Sequence, residues 1–434
     1  MRMAIVVLNG ISYRHELGPS QLEAAKQQIG VARGYDRLLR DKLRSATSEK
    51  FHDIAEFTSI YLNSRSAILS AAVQANGRID WKRREHLEYC LALRNTFSLD
   101  AVNDEPVRIF AHKKTNGGFR AISKFGLKNR TAQLLVRRIM EYHFHPRDIQ
   151  YTFRGVPTAI SAIRERLMSG LVYYASLDIK NHFGSFEMKK LLNLLPLPKE
   201  WVERAVSGRL MAVEAGMTPA SSDNLLTQAR RGIPTGSGCS PIIAAYSISH
   251  LKWDTHPQMV LINYADNFLI LCSDKALLSE GIGELKVVVA ELPGGSFFLK
   301  EISSGHAKHG FEFLGHDISY SANGLSIRPG APAVNSIYAK LERIDEQLPY
   351  GCAKYQAETT KELVLVGCQL LKGWISAFKA SDHITEYEEA MLTLLSQSAG
   401  LPYDVIEKLY KGAAAKGFST YSLKADPWDE RWTS

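Results

Sequence analysis

Two aspartates stand where apolar, strand-like runs give out. Asp178 closes the run Leu171–Leu177, and Asp266 breaks the stretch MVLINYADNFLILCS at 259–273. There Val260–Ile262 and Phe268–Leu271 flank the pair Asp266-Asn267. Asp and Asn both accept the left-handed backbone of a two-residue turn, so a buried hairpin with a carboxylate at its tip is expected. Taken alone, turn chemistry explains the pair. A glycine-rich segment lying between the two aspartates, RRGIPTGSGCSP at 230–241, changes the reading. Strand-end carboxylates around such a loop suit nucleotidyl transfer, which uses two divalent ions about 3.5–4 Å apart. Mg²⁺ keeps water and substrate phosphate among its ligands, so two aspartates suffice. Asp178 and Asp266 are the expected catalytic carboxylates and metal ligands, for two Mg²⁺ ions or for Mn²⁺ in their place.

Three motifs follow one another in a telling order. Asp178 is followed by Phe183, then comes G-I-P-T-G-S-G-C-S-P at 232–241, then Y-A-D at 264–266. This order resembles the reverse transcriptase family, most nearly the bacterial group II intron, retron and defence-associated types. The resemblance spans residues 105–330 and extends more weakly into the helical region that follows. It implies an α+β right-hand polymerase, with fingers, a palm built on an antiparallel sheet, and a helical thumb. It implies that Phe183 lies under the nucleotide sugar and that Arg120 grips the triphosphate, with Lys113 or Lys114 nearby. Thr235 and Gly236 would face the incoming nucleotide. Lys300 would assist pyrophosphate departure, with Lys308 as its rival. The sequence departs from the family at three places. Asn267 stands for the second Asp of the hairpin, Thr235 for a Gln, and Gly184 for an acid common in bacterial members. By elimination, since neither a retron Val-Thr-Gly nor an intron endonuclease is found, the defence-associated group fits best.

These residues need elements to hold them, and the chain divides into four stretches. Residues 1–104 read as a helical N-terminal extension, with Ser20 and Glu23 as a capping-box pattern before LEAAKQQIGVARGYDRLLRDKL. Further helices fit residues 51–72 and 83–95. Residues 105–170 read as fingers. RIFAHKK and GFRAISKF form a hairpin across Thr-Asn-Gly-Gly. Arg108, Lys113, Lys114, Arg120, Lys124, Lys128, Arg130, Arg137 and Arg138 occur with no acid between 107 and 138. A one-sign run of this kind points to phosphate contacts. Residues 171–325 read as the palm, where the glycines of 232–238 would let backbone approach a base pair. Residues 326–434 read as a helical thumb and tail.

Composition sets outer bounds. The chain has 434 residues, a formal net charge of +8 and 45% hydrophobic residues, which allows two or three packed regions and suggests an anionic partner. Cys90, Cys239, Cys272, Cys352 and Cys368 form no CxxC pair and read as reduced thiols. The run AIVVL is too short for a signal peptide or membrane span, so a cytoplasmic protein without membrane contact is expected. The function expected is RNA-directed DNA polymerisation in anti-phage defence. The partners expected are dNTPs, an RNA template or noncoding RNA, and a DNA product. A second polymerase subunit or self-association is also allowed. Asn267 and Thr235 keep open a non-catalytic nucleic-acid-binding protein on a degenerate polymerase fold. An RNA-dependent RNA polymerase is disfavoured by Phe183.

Overall fold

The computed structural model describes residues 3–9, 11–49, 51–79, 83–113, 118–214, 222–253, 256–342 and 360–413. An N-terminal hairpin, β1 (Ala4–Leu8) and β2 (Ile11–His15), precedes α1 (Pro19–Glu49), α2 (Phe51–Asn63), α3 (Arg65–Gly77) and α4 (Leu87–Thr96). The short α5 (Leu99–Asn103) leads to β3 (Arg108–Lys113), β4 (Phe119–Lys124), α6 (Leu127–His143) and α7 (Val156–Met168). β5 (Tyr173–Ile179) is followed by a 3₁₀ turn at His182–Ser185, α8 (Met188–Leu194) and α9 (Lys199–Trp201), which runs on as a π-turn to Val206. Then come α10 (Ser222–Arg230), α11 (Ser240–Ser249), β6 (Met259–Tyr264), β7 (Asn267–Cys272) and α12 (Lys275–Ala290). The chain continues through β8 (Leu299–His306), β9 (Phe311–Phe313), β10 (His316–Ser321) and β11 (Gly324–Pro329). It ends in α13 (Ala331–Glu342), α14 (Thr360–Phe378), α15 (Ile384–Ala399) and α16 (Tyr403–Gly412). The fold class is α+β, as expected. Two compact units form: Met1–Pro146 with Lys180–Leu251 and Val289–Phe297, and Arg147–Ile179 with Lys252–Val288 and Phe298–Ser434.

In the first unit the N-terminal region is not wholly helical. Val6 and Tyr13 face each other across β1 and β2 and are buried, which anchors the hairpin. The capping box expected at Ser20 and Glu23 is displaced. The Gly18 carbonyl accepts the Leu22 N–H at 2.8 Å, and Gln21 Oε1 accepts the Gly18 N–H at 3.0 Å. Gly18 is therefore the cap, because Pro19 fits the first helical position and Gln21 reaches back from the third. The helix expected over 51–72 is two helices, since the Ser64 hydroxyl accepts the Ala67 N–H and starts α3. A buried polar cluster ties these helices to α6: Asp36 accepts from Tyr61 at 2.8 Å, Ser70 at 3.0 Å and Arg138 at 3.1 Å.

That cluster corrects the basic-run reading. Arg138 is spent on Asp36, Arg137 on Glu141 at 2.8 Å, Arg108 on Glu214, and Arg130 donates to the Phe125 carbonyl at 2.9 Å. The acidic partners lie outside the 107–138 window or one turn beyond it. The one-sign composition therefore overstated the surface left for phosphate. Lys114 and the Thr-Asn-Gly of the hairpin turn lie outside the described residues, as does Cys352.

In the second unit an antiparallel sheet runs in the order β6-β7-β5-β8. Its strands read MVLINY, NFLILC and YYASLDI, buried nearly throughout. α12 comes down close on one face, where a Cβ at Gly281 would sit 2.4 Å from Met259 Sδ. On the other face Tyr174, Ile262, Tyr264, Leu269 and Leu271 share a core with α7 and with Phe311, Ile318 and Ile327 of the sheet β11-β10-β9. The strand β11 was not foreseen from the sequence. The helices α13–α16 enclose Trp374, whose indole N–H donates to the Ala333 carbonyl at 3.3 Å. Among the described residues no helix is long and apolar enough to cross a membrane.

Candidate active site

Strand register brings the second unit's candidate residues into one row. Asp178 on β5 pairs with Asn267 on β7 and with Lys300 on β8, and Asn267 pairs in turn with Tyr264 on β6. Residues directly opposite on neighbouring strands share a face and lie about 4.5–5.5 Å apart. Lys300, Asp178, Asn267 and Tyr264 therefore cross the sheet on a single face, near the end of all four strands. Lys308 lies elsewhere. It follows His306, which pairs with Tyr173, five residues along β5 from Asp178 and about 17 Å away at strand rise.

The hairpin tip is one residue earlier than the turn chemistry of Asp-Asn suggested. Tyr264 pairs with Asn267, so Ala265 and Asp266 make the turn, and Ala265 holds φ +54°. The register pairs Ile262 with Leu269 and Leu261 with Ile270, and a slip of one residue would exchange the two faces of a strand that is packed on both. Asp266 is still at the tip. Its carbonyl accepts the Ile179 N–H at 3.0 Å, and its Oδ1 lies 3.3 Å from Asn267 Nδ2. Asp178, Asp266 and Asn267 are all half-buried, and Lys300 is exposed.

Two residues hold this turn that sequence reasoning missed. Asn263 is fully buried, and its amide donates to the Ala265 carbonyl at 3.0 Å and the Asn267 carbonyl at 3.1 Å. Thr152 accepts the Ala265 N–H at 2.7 Å. The backbone of Asn263 is clasped as well, by Ile149 at 2.7 Å and Tyr151 at 2.8 Å. The signal for Asn263 was present: a lone amide inside the apolar run MVLINY must find partners when buried. Thr152 carried no comparable signal.

The donor set suits a hard cation. Two aspartates stand at one corner of the sheet, and among the described residues no group of three or more His, Cys, Asp or Glu gathers to hold a metal ion. Two oxygen-bearing groups leave the remaining positions to water and phosphate, which Mg²⁺ prefers.

The first unit carries the other candidates. Phe183 sits half-buried in the 3₁₀ turn, and its carbonyl accepts the Ile233 N–H at 3.0 Å. Gly232 has φ +66°, and a Cβ there would lie 2.1 Å from the Phe183 oxygen. Gly236 has φ +104°, and a Cβ there would lie 2.2 Å from the Ser123 oxygen. The Thr235 carbonyl accepts the Ser123 N–H at 2.8 Å. The Cβ direction at these two glycines is thus taken up by the protein's own backbone, so close packing within the unit already calls for glycine at both positions. A Cβ at Gly184 would lie 2.3 Å from Nδ2 of the exposed Asn181, so a side chain there requires the Asn181 side chain to move aside. Arg120 is exposed on β4 opposite His112, on the same hairpin face as Phe110 and Lys124, whose ammonium lies 5.8 Å from the Phe110 ring centre. Lys113 ends β3 opposite Phe119.

Several solved structures resemble this chain. Telomerase from Candida albicans in complex with a fragment of telomeric RNA is 13% identical, matched over 71% of this chain and 61% of its own, with a TM-score of 0.35. Apo telomerase from Candida tropicalis is 15% identical over 70% of this chain and 58% of its own, with a TM-score of 0.37. The Sicinivirus 3Dpol RNA-dependent RNA polymerase is 10% identical over 72% and 69%, with a TM-score of 0.36. The chain spans about three fifths of the length of the two telomerases it matches. No protein-family model matches the sequence, and no curated protein does. At these identities the likeness is one of fold alone.

Proposed function

We propose that the protein is a reverse transcriptase that adds dNTPs to a primer on an RNA template. The observation that carries the reading is the row Lys300–Asp178–Asn267 with Asp266 beside it at the hairpin tip. Asp178 and Asp266 would hold Mg²⁺, which supplies positive charge against the triphosphate and the attacking hydroxyl. Asn267 donates to Asp266 Oδ1 at 3.3 Å, which links that carboxylate to the residue paired with Asp178. Lys300, which pairs with Asp178 across the sheet, would donate a proton to departing pyrophosphate. Phe183 would lie under the sugar, Arg120 would bind phosphate, with Lys113 or Lys114 nearby, and Thr235 and Gly236 would border the nucleotide. Within the family we attach the protein, by elimination, to the bacterial defence-associated group, acting in the cytoplasm against phage.

Asn267 also motivates a second reading, in which the fold binds nucleic acid without catalysis. One experiment separates them: sequence the nucleic acid that copurifies with the protein and any product made from dNTPs and Mg²⁺. The proposal expects DNA complementary to a bound RNA. Retained RNA with no dNTP-dependent product would establish the binding-only reading.

A further inference from the structure

Two hydrophobic cores meet at one corner of the second unit. The helices α13–α16 pack around Leu371, Trp374 and Phe378, whereas α7 and the sheet β11-β10-β9 pack around Ile163, Ile318 and Ile327. The chain crosses from one core to the other within two residues: Phe378 ends α14 in the first, and Ala380 packs against the second. A groove of about 700 Å³ runs between the two parts. Asp317, Ser326 and Arg328 of the sheet line one wall, and Val334, Asn335 and Tyr387 of the helices line the other. Tyr387 stands in the first turn of α15, directly after the corner. The angle between helices and sheet therefore sets the width of the groove.

Polar bonds hold the corner. β11 is an edge strand, and Asp382 completes that edge. The Asp382 N–H donates to the Ile327 carbonyl at 2.7 Å, and its Oδ2 accepts the Ile327 N–H at 2.7 Å. Arg164 of α7 fastens the corner from the other side. Its Nη2 donates to Asp382 Oδ1 at 2.7 Å and to the Ala380 carbonyl at 3.0 Å. Two unfavourable features oppose these bonds in the same turn. His383 holds φ +57°, a left-handed backbone that strains a residue with a side chain. Ser381 Oγ is buried with no hydrogen-bond partner. We propose that Arg164 and Asp382 form a latch. Closed, it holds the helices against the sheet. Released, the corner lifts from Ile327, carries Tyr387 with it and widens the groove. Phe378, whose ring lies 4.7 Å from that of His316, is the pivot.

The Ile327 and Asp382 amides bridge the gap that opens, so their hydrogen exchange reports the latch. The test is exchange of the full-length protein, read by mass spectrometry over residues 324–330 and 379–384, with 259–272 in β6 and β7 as the internal reference. Arg164→Met removes two hydrogen bonds from a charged donor, so it should speed exchange in the first two segments by about 10-fold or more and leave the reference unchanged. Arg164→Lys keeps the charge without the planar fork and should fall between Met and the wild type. A thiol introduced by Val334→Cys, on the groove wall, should react with a bulky maleimide faster when Arg164→Met is also present. Unchanged exchange at the corner, an equal rise in the reference, a Lys variant as fast as the Met variant, or an unchanged maleimide rate would each overturn the proposal. The readouts are exchange and labelling, so they stand or fall independently of any polymerase activity.

Discussion

Replacing Gly232 by alanine tests how the glycine loop is held. The residue has φ +66°, and the new Cβ would lie 2.1 Å from the Phe183 carbonyl oxygen. The left-handed backbone costs alanine about 1–2 kcal/mol. Relief of the contact needs a shift of about 1 Å, since contacts below ~3 Å are not tolerated. That shift strains or breaks the 3.0 Å hydrogen bond from Ile233 to the same oxygen, a further loss of about 0.5–1.5 kcal/mol. Gly232→Ala should therefore lose about 2–3 kcal/mol, read from the urea midpoint. Gly238→Ala is the control. That residue is exposed, its nearest neighbour would be 3.9 Å from a Cβ, and its backbone is not left-handed. It should change stability by less than about 0.5 kcal/mol. Because Gly232→Ala moves Phe183, it should also weaken discrimination between dNTPs and rNTPs. Equal stability of Gly232→Ala and the wild type, or an equal loss in Gly238→Ala, would refute the close-packing argument.

Three further outcomes follow from the same geometry. Burial lowers the pKa of His182 to about 3 and those of His143 and His316 to about 4. The unfolded chain then binds protons below pH ~6.5 that the folded chain refuses, so stability is full above ~6.5 and falls as pH drops toward about 3–4, by at most about 1.4 kcal/mol per unit per histidine. His182→Phe, in a pocket already lined by Phe186 and Phe297, should flatten that fall, and an unchanged slope of stability against pH would contradict it. Arg120→Glu should weaken nucleic-acid binding and reduce its salt dependence by about one counterion; an unaltered salt slope would return β4 to ordinary surface. Asn267→Asp should keep dNTP incorporation and change its Mg²⁺ dependence by about 10–100-fold or less, whereas activity in the variant alone would mark the wild type as disabled.

Much of the second unit was legible because its strands are apolar and their ends are not. Asp178 and Asp266 stood out as charges closing buried runs, and strand pairing brought them to one corner. The exact turn was not legible, because Asp-Asn is better turn chemistry than Ala-Asp and only the register of the flanking apolar residues decides between them. The choice between Lys300 and Lys308 was also a matter of register, which sequence spacing does not carry across a β-bulge such as that at Ser176–Leu177. The basic run misled because its partners, Asp36 and Glu214, lie far off in sequence. The glycines of 232–238 showed that something approaches closely, but not that it is the backbone of Phe183 and Ser123.

The central claim is that Asp178 and Asp266 act together on a nucleotide. The direct measurement is Mg²⁺-dependent dNTP incorporation by the wild type, Asp178→Asn and Asp266→Asn, with thermal melting recorded for each. Asn preserves size and hydrogen bonding but removes the charge that holds a divalent ion. The account predicts incorporation by the wild type, loss to background in both variants, and unchanged melting. Near-wild-type incorporation by either variant would contradict it.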